Sequence, residues 1–141
     1  MDTRALRLEH SSIMDLASRL GGVVGDIRTR GDAHDARQLI EQIDGLLQGH
    51  LRVEDAELYP ALIGAEDSSV RELGARALEE MGGIIGAWLE YRDQWTVEAI
   101  LADVRPFDVG TRGLLGALSL RIEMENDVLY PAMDRLTAGE G

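Results

Sequence analysis

Histidines set among aliphatic stripes, and a glutamate that occurs twice in one motif, are the residues of this chain that could do chemistry. The segment His50–Leu62, HLRVEDAELYPAL, returns in altered form as Arg121–Met133, RIEMENDVLYPAM. The copies agree at Glu54/Glu125, Leu58/Leu129, Tyr59/Tyr130, Pro60/Pro131 and Ala61/Ala132. Each glutamate follows a polar residue by four positions, and residues four apart share one face of a helix. In the first copy that partner is His50, so the face offers an imidazole and a carboxylate, groups that share a proton or hold a cation. In the second copy it is Arg121, which forms an ion pair with Glu125 but has no lone pair to donate.

The chain has no cysteine, which excludes disulfides, zinc knuckles, iron–sulfur clusters and thiol catalysis, and leaves His and carboxylate as the metal-ligating types. Its length of 141 residues fits one domain. A formal net charge of -12 opposes binding to nucleic-acid phosphates and anionic membrane surfaces. No apolar run reaches the roughly 18 residues of a membrane span. The first residues, MDTRALRLEH, lack a basic segment followed by an apolar signal core, so a cytoplasmic protein is expected. No Ser-His-Asp set, phosphate loop or nucleotide fingerprint occurs.

The elements that must position these residues are helices. Leu6, His10, Ile13, Ala17, Leu20, Val24 and Ile27 recur at spacings of three and four, predicting a helix from about residue 3 to 30. A turn over Gly31–Asp35, with His34 solvated, leads to a second helix capped by Asp35. That helix turns Leu39, Ile43, Leu46, His50 and Val53/Glu54 inward and ends or kinks near Pro60. Asp67, Ser68 or Ser69 caps a third helix whose seam is Val70, Ala77, Met81, Ile84, Trp88, Tyr91 and Trp95. A break near Thr96 and Val104–Pro106 precedes a last helix, capped by Asp108, with Leu114, Leu118, Arg121, Glu125 and Val128 inward. Four long helices with short joins predict an all-α, antiparallel up-down-up-down four-helix bundle over residues 1–136, with a mobile tail at 137–141. Glycines 45, 49, 82, 83, 113 and 116 fall inside helical stretches, where close helix approach is one reason to keep them.

On these seams His10, His50, Glu54, Arg121 and Glu125 interrupt Leu/Ile/Val stripes. Burying an unpaired charge costs several kcal/mol, so the set must satisfy itself or a ligand. Taken singly, each has a plain structural role. A lone seam histidine is commonly a hydrogen-bonded core residue, the His50-Glu54 pair suits a surface salt bridge, Arg121-Glu125 suits a helical ion pair at i, i+4 spacing, and Met81 suits a gap-filling core position.

A histidine within LRLEHSSIMDL, a His-x-x-x-Glu followed by the Leu-Tyr-Pro-Ala-Leu ending, and a second glutamate followed by Leu-Tyr-Pro-Ala-Met closely resemble the hemerythrin-like (HHE cation-binding) domains. The resemblance spans nearly the whole chain. It implies a four-helix bundle holding a non-haem di-iron centre, with functions in O2 carriage, sensing of O2, NO or redox state, or iron handling. By position it makes His10, His50, Glu54 and Glu125 metal ligands. Two positions depart from the family pattern: Met81 and Arg121 stand where it usually has histidines.

A thioether is a poor ligand for iron beside hard carboxylates, and a guanidinium adds positive charge where a second metal would sit. Two fillings follow. In the first, Arg121 bridges Glu54 and Glu125, and the bundle is a metal-free regulatory or scaffold protein. In the second, one non-haem iron takes His10, His50, Glu54 and Glu125, and the bundle senses O2, NO or redox state. An iron oxidase or peroxidase-like enzyme is a weaker third reading. The partner expected is a separate, unidentified protein, and a homodimer through Trp88, Tyr91 and Trp95 is the alternative to their packing in the core.

Overall fold

The computed structural model describes residues 1–140, all helical apart from short joins. Helix α1 spans Thr3–Val23 and α2 begins at Arg30–Val53. A π-helical turn at Glu54–Leu58 carries α2 on into Tyr59–Ile63. Helix α3 spans Ser68–Met81, α4 Ile84–Gln94 and the short α5 Val97–Ala102. The last helix, α6, runs Val104–Met124, passes through a second π turn at Glu125–Leu129 and continues as Tyr130–Glu140. Among the described residues no helix is long and apolar enough to cross a membrane.

The helices pack as a bundle. Along α1, Thr3, His10 and Met14 meet Asp134, Asn126 and Ser119 of α6, so the two run in opposite directions. Likewise Arg37 and Asp44 of α2 meet Trp95 and Trp88 at α4. The stripe expected on α1 is buried throughout, Val24 and Ile27 included. The helix nevertheless stops at Val23, and its apolar pattern runs on into the join. Thr29, not Asp35, starts α2: its hydroxyl accepts from the Asp32 backbone N–H while the Asp32 carboxylate accepts from the N–H of Thr29, a capping box. His34 is exposed, as expected, but on the first turns of α2 rather than in a turn.

Helix α2 ends at Ile63, near Pro60 as expected, and the join before the last helix falls at Asp103, just ahead of Pro106, but neither proline is itself the break. Pro106 sits in the first turn of α6, where its missing N–H is no loss, and Asp103 rather than Asp108 is the cap residue. Asp108 instead accepts from Arg112 at 2.6 Å. Pro60 and Pro131 each follow a π turn in which the N–H of Tyr59 reaches the carbonyl of Glu54, and that of Tyr130 the carbonyl of Glu125. The ring that would collide with an α-helical turn meets one already widened by a residue. The long third helix is broken at Gly82–Gly83, and α6 continues through Thr137 to Glu140, so the stretch expected as a mobile tail is helical that far. Gly141 lies outside the described residues.

Two apolar clusters fill the bundle. The larger contains Ile13, Leu20, Ile40, Ile43, Leu47, Trp88, Phe107 and Leu118. The smaller contains Leu6, Leu58, Leu62, Ala77, Leu129 and Met133, with the rings of Tyr59 and Tyr130. Trp88, Tyr91 and Trp95 belong to the larger cluster, the last two against Phe107, and so form core rather than an exposed face. Leu46, Val53 and Val128, expected inward, are more than a third exposed; Leu47, Leu51 and Leu129 take the buried places. Glycines 45, 49, 83, 113 and 116 face open space. The close approaches are at Gly82 and at Gly74, where an added Cβ would lie 2.8 Å from the Leu62 Cβ.

Candidate metal centre

Between the two apolar clusters lies a polar layer that is almost completely enclosed. His10, His50, Glu54, Arg121 and Glu125 are each at most 2 % exposed. All five sequence-selected polar seam residues therefore converge. His10 comes from α1, His50 and Glu54 from the end of α2 and its π turn, and Arg121 and Glu125 from the matching place in α6. One donor atom from each of His10, His50, Glu54 and Glu125 lies within 4.8 Å of the others.

The duplicated motif explains how the layer is held. Tyr59 of the first copy donates its hydroxyl to Glu125 Oε2 of the second at 3.1 Å, and Tyr130 of the second donates to Glu54 Oε2 of the first at 2.7 Å. In an uninterrupted α-helix, side chains five residues apart diverge by well over a right angle. The π turn that opens at each glutamate brings the following tyrosine back to the buried side, and both tyrosines are at most 1 % exposed. Burial pushes both phenols above the ordinary range, the neighbouring carboxylates add to the rise, and they stay protonated donors.

The two copies differ in what surrounds each glutamate. Beside Glu125, Arg121 donates from Nε to Oε2 at 3.0 Å and from Nη1 to the Met81 carbonyl at 3.1 Å, while Nη2 lies 3.4 Å from Asp55 and 3.6 Å from Glu54. The Tyr59 ring lies 5.3 Å beneath the guanidinium. Met81 ends α3 at the Gly82–Gly83 break, where an unclaimed helix carbonyl suits a cation. Its half-buried side chain packs against both apolar clusters, so Met81 meets the site through its backbone. Burial disfavours the charged guanidinium, yet Glu125 leads the neighbours that outweigh this and raise Arg121.

Beside Glu54 stand the two histidines. Asn126 Oδ1 faces His10 Nδ1 at 2.8 Å, and Glu9 Oε1 faces His50 Nδ1 at 2.9 Å. Both partners accept, so each Nδ1 carries a proton and each Nε2 points inward, offering a lone pair when the ring bears no second proton. There Nε2 of His10 lies 3.0 Å from Glu125 Oε1, and Nε2 of His50 lies 3.1 Å from Glu54 Oε1. With Nε2 unprotonated neither contact is a hydrogen bond and both Oε1 atoms are buried without a partner; a second proton on either ring would close its contact. Lone pairs facing one another at that distance repel unless a positive charge lies among them. Two carboxylates against one guanidinium leave the layer short of such a charge. Burial tends to neutralise His50, but Glu54 and Glu9 outweigh it and raise its proton affinity. Burial raises the Glu54 carboxyl, whereas Glu125, next to His10 and Arg121, ends below its ordinary value. His10, His50, Glu54 and Glu125 could hold a metal ion, and the Arg121 guanidinium lies beside them.

Sequence reasoning did not mark Tyr59, Tyr130, Glu9, Asn126 or Asp55 as members of the site. The tyrosines carried a signal, since both repeat with the glutamates. Glu9, Asn126 and Asp55 carried none beyond standing next to His10, Glu125 and Glu54. Among curated proteins and among solved structures, nothing matches the chain significantly. The family of the hemerythrin HHE cation binding domain matches over residues 1–133. That match takes in both copies of the motif and the whole polar layer, and the chain belongs to the hemerythrin HHE cation-binding family.

Proposed function

We propose that the bundle is a single-metal module, holding one divalent cation, iron(II) in the first instance, between His10, His50, Glu54 and Glu125. The observation that carries this reading is the pair of buried, unpartnered Oε1 atoms facing two imidazoles whose Nδ1 atoms are tied down on the far side. Asn126 and Glu9 orient the rings, Tyr59 and Tyr130 orient the carboxylates, and Arg121 supplies as a fixed charge what a second cation would supply. A bound non-haem iron would bring one-electron chemistry and affinity for O2 or NO, which suits a sensor of either gas or of redox state. A signal from such a site would pass to a separate protein.

The second reading is the closed, metal-free regulatory or scaffold bundle. It is favoured by the contact of Arg121 with both glutamates and by the raised proton affinity of His50, which would provide the missing positive charge. Metal content by mass spectrometry after anaerobic reconstitution with Fe(II), beside a His50→Ala control, separates the two. About one iron per chain, lost in the control, supports the single-metal module. About two would sink the assignment of Arg121 as the occupant of the second place, and none would leave the closed bundle.

A further inference from the structure

The tyrosines of the two copies are equivalent in sequence but not in surroundings. The Tyr59 hydroxyl has one acceptor, Glu125 Oε2, which it shares with Arg121 Nε. The Tyr130 hydroxyl stands 2.7 Å from Glu54 Oε2, 3.0 Å from His10 Nε2 and 3.5 Å from His50 Nε2. It owns one proton, and where both Nε2 atoms are unprotonated it faces three acceptors, so that two of those contacts set lone pair against lone pair. Donor atoms at right angles around a first-row cation, with bonds of roughly 2.0–2.2 Å, lie about 3 Å apart. The spacing of the Tyr130 oxygen from its neighbours is that of one more member of a coordination shell.

We infer that the Tyr130 oxygen is a fifth ligand of the cation, bound as a phenolate when the metal is trivalent, and that Tyr59 is not a ligand. This inference rests on the single-metal reading. Arg7 supports it independently. Its guanidinium lies 5.2 Å from the Tyr130 ring centre, tied to the Asn126 carbonyl at 3.1 Å and to Asp134 at 3.5 Å. A cation over the ring face favours an electron-rich ring. On ligation the phenol proton leaves to the buffer, and the cation takes over the burial penalty of the anionic oxygen.

The test loads the protein with Fe(II) without oxygen, oxidises it with one equivalent of ferricyanide, and records visible absorption and resonance Raman spectra. A phenolate-to-iron(III) charge-transfer band is expected, with enhanced tyrosine ring modes. Both should be kept in Tyr59→Phe and lost in Tyr130→Phe, with iron content within about twofold of the parent. Should Tyr130→Phe fail to fold, ring-deuterated tyrosine in the parent, Tyr59→Phe and Tyr91→Phe decides by elimination, since Tyr91 pairs with Thr111 at 2.7 Å outside the site. Iron bound without phenolate modes, or modes that vanish with Tyr59, overturns the inference and leaves the single-metal module standing. A parent that binds no iron overturns both.

Discussion

Arg121 is the residue on which the character of this site turns. It is fully buried, and its guanidinium is paired with Glu125 and lies near Glu54 and Asp55. Arg121→Met leaves two buried carboxylates with no fixed positive charge, which typically costs about 3–5 kcal/mol. Urea denaturation of the metal-free variant should show a loss of that order, part of it recovered on adding Fe(II); a variant as stable as the parent would refute the pairing. Asp44 allows a separate test, away from the buried polar layer. Its partial burial raises the carboxyl, but hydrogen bonds from Trp88 and Gln48 and the charge of Arg92 outweigh this and lower it. The stability it contributes is therefore complete above the unfolded value near 3.8 and lost as pH falls through its lower folded value. Asp44→Asn should cost about 1–3 kcal/mol at neutral pH. The gap between parent and variant should close as pH falls below that unfolded value; a gap constant with pH would disprove the linkage. The polar intrusions among these single residues were legible because a charge on an aliphatic stripe must be explained. Glu9 and Asn126 were not, because a side chain that only orients a ligand leaves no mark in residue type.

At the scale of helices, existence was readable and punctuation was not. Adjacent apolar pairs such as Leu39-Ile40 and Leu46-Leu47 let the inward stripe slip by one residue, and Ile40 and Leu47 are the buried members. Pro60 and Pro131 lie inside their helices because each follows a π turn, a register change with no residue-type signature of its own. Glycine gives the sharpest test of how the helices meet. Gly74→Ala places a methyl 2.8 Å from Leu62 Cβ and should destabilise by about 1–3 kcal/mol. Gly45, exposed in mid-helix with open space around it, should instead stabilise on conversion to Ala, by up to about 1 kcal/mol. Chemical denaturation of the two variants would show opposite signs, and a shared sign would contradict the packing. Thr29→Ala removes the capping box that opens α2 and should cost about 1 kcal/mol by the same measurement.

For the whole molecule, an all-α bundle followed from three prolines and a helical period, and the layer of charged groups inside it followed from the repeated motif. The crossed wiring of that layer did not, because it depends on how helices far apart in sequence are set beside one another. A ligand that binds only the folded state stabilises by mass action, by about 2.7 kcal/mol at a hundred times its dissociation constant. Iron(II) at that excess should raise the Tm of the parent and leave His50→Ala unmoved; equal shifts in both would place the metal elsewhere. The crossed tyrosines have a consequence for divisibility. Each copy of the motif carries the hydroxyl that steadies the other copy's glutamate, so neither half of the polypeptide holds a finished set of donors. On the single-metal proposal, severing the join between α2 and α3 should leave two fragments that each take up no stoichiometric metal. Mixing the fragments should restore the pocket, and on that proposal metal uptake would report their complementation directly.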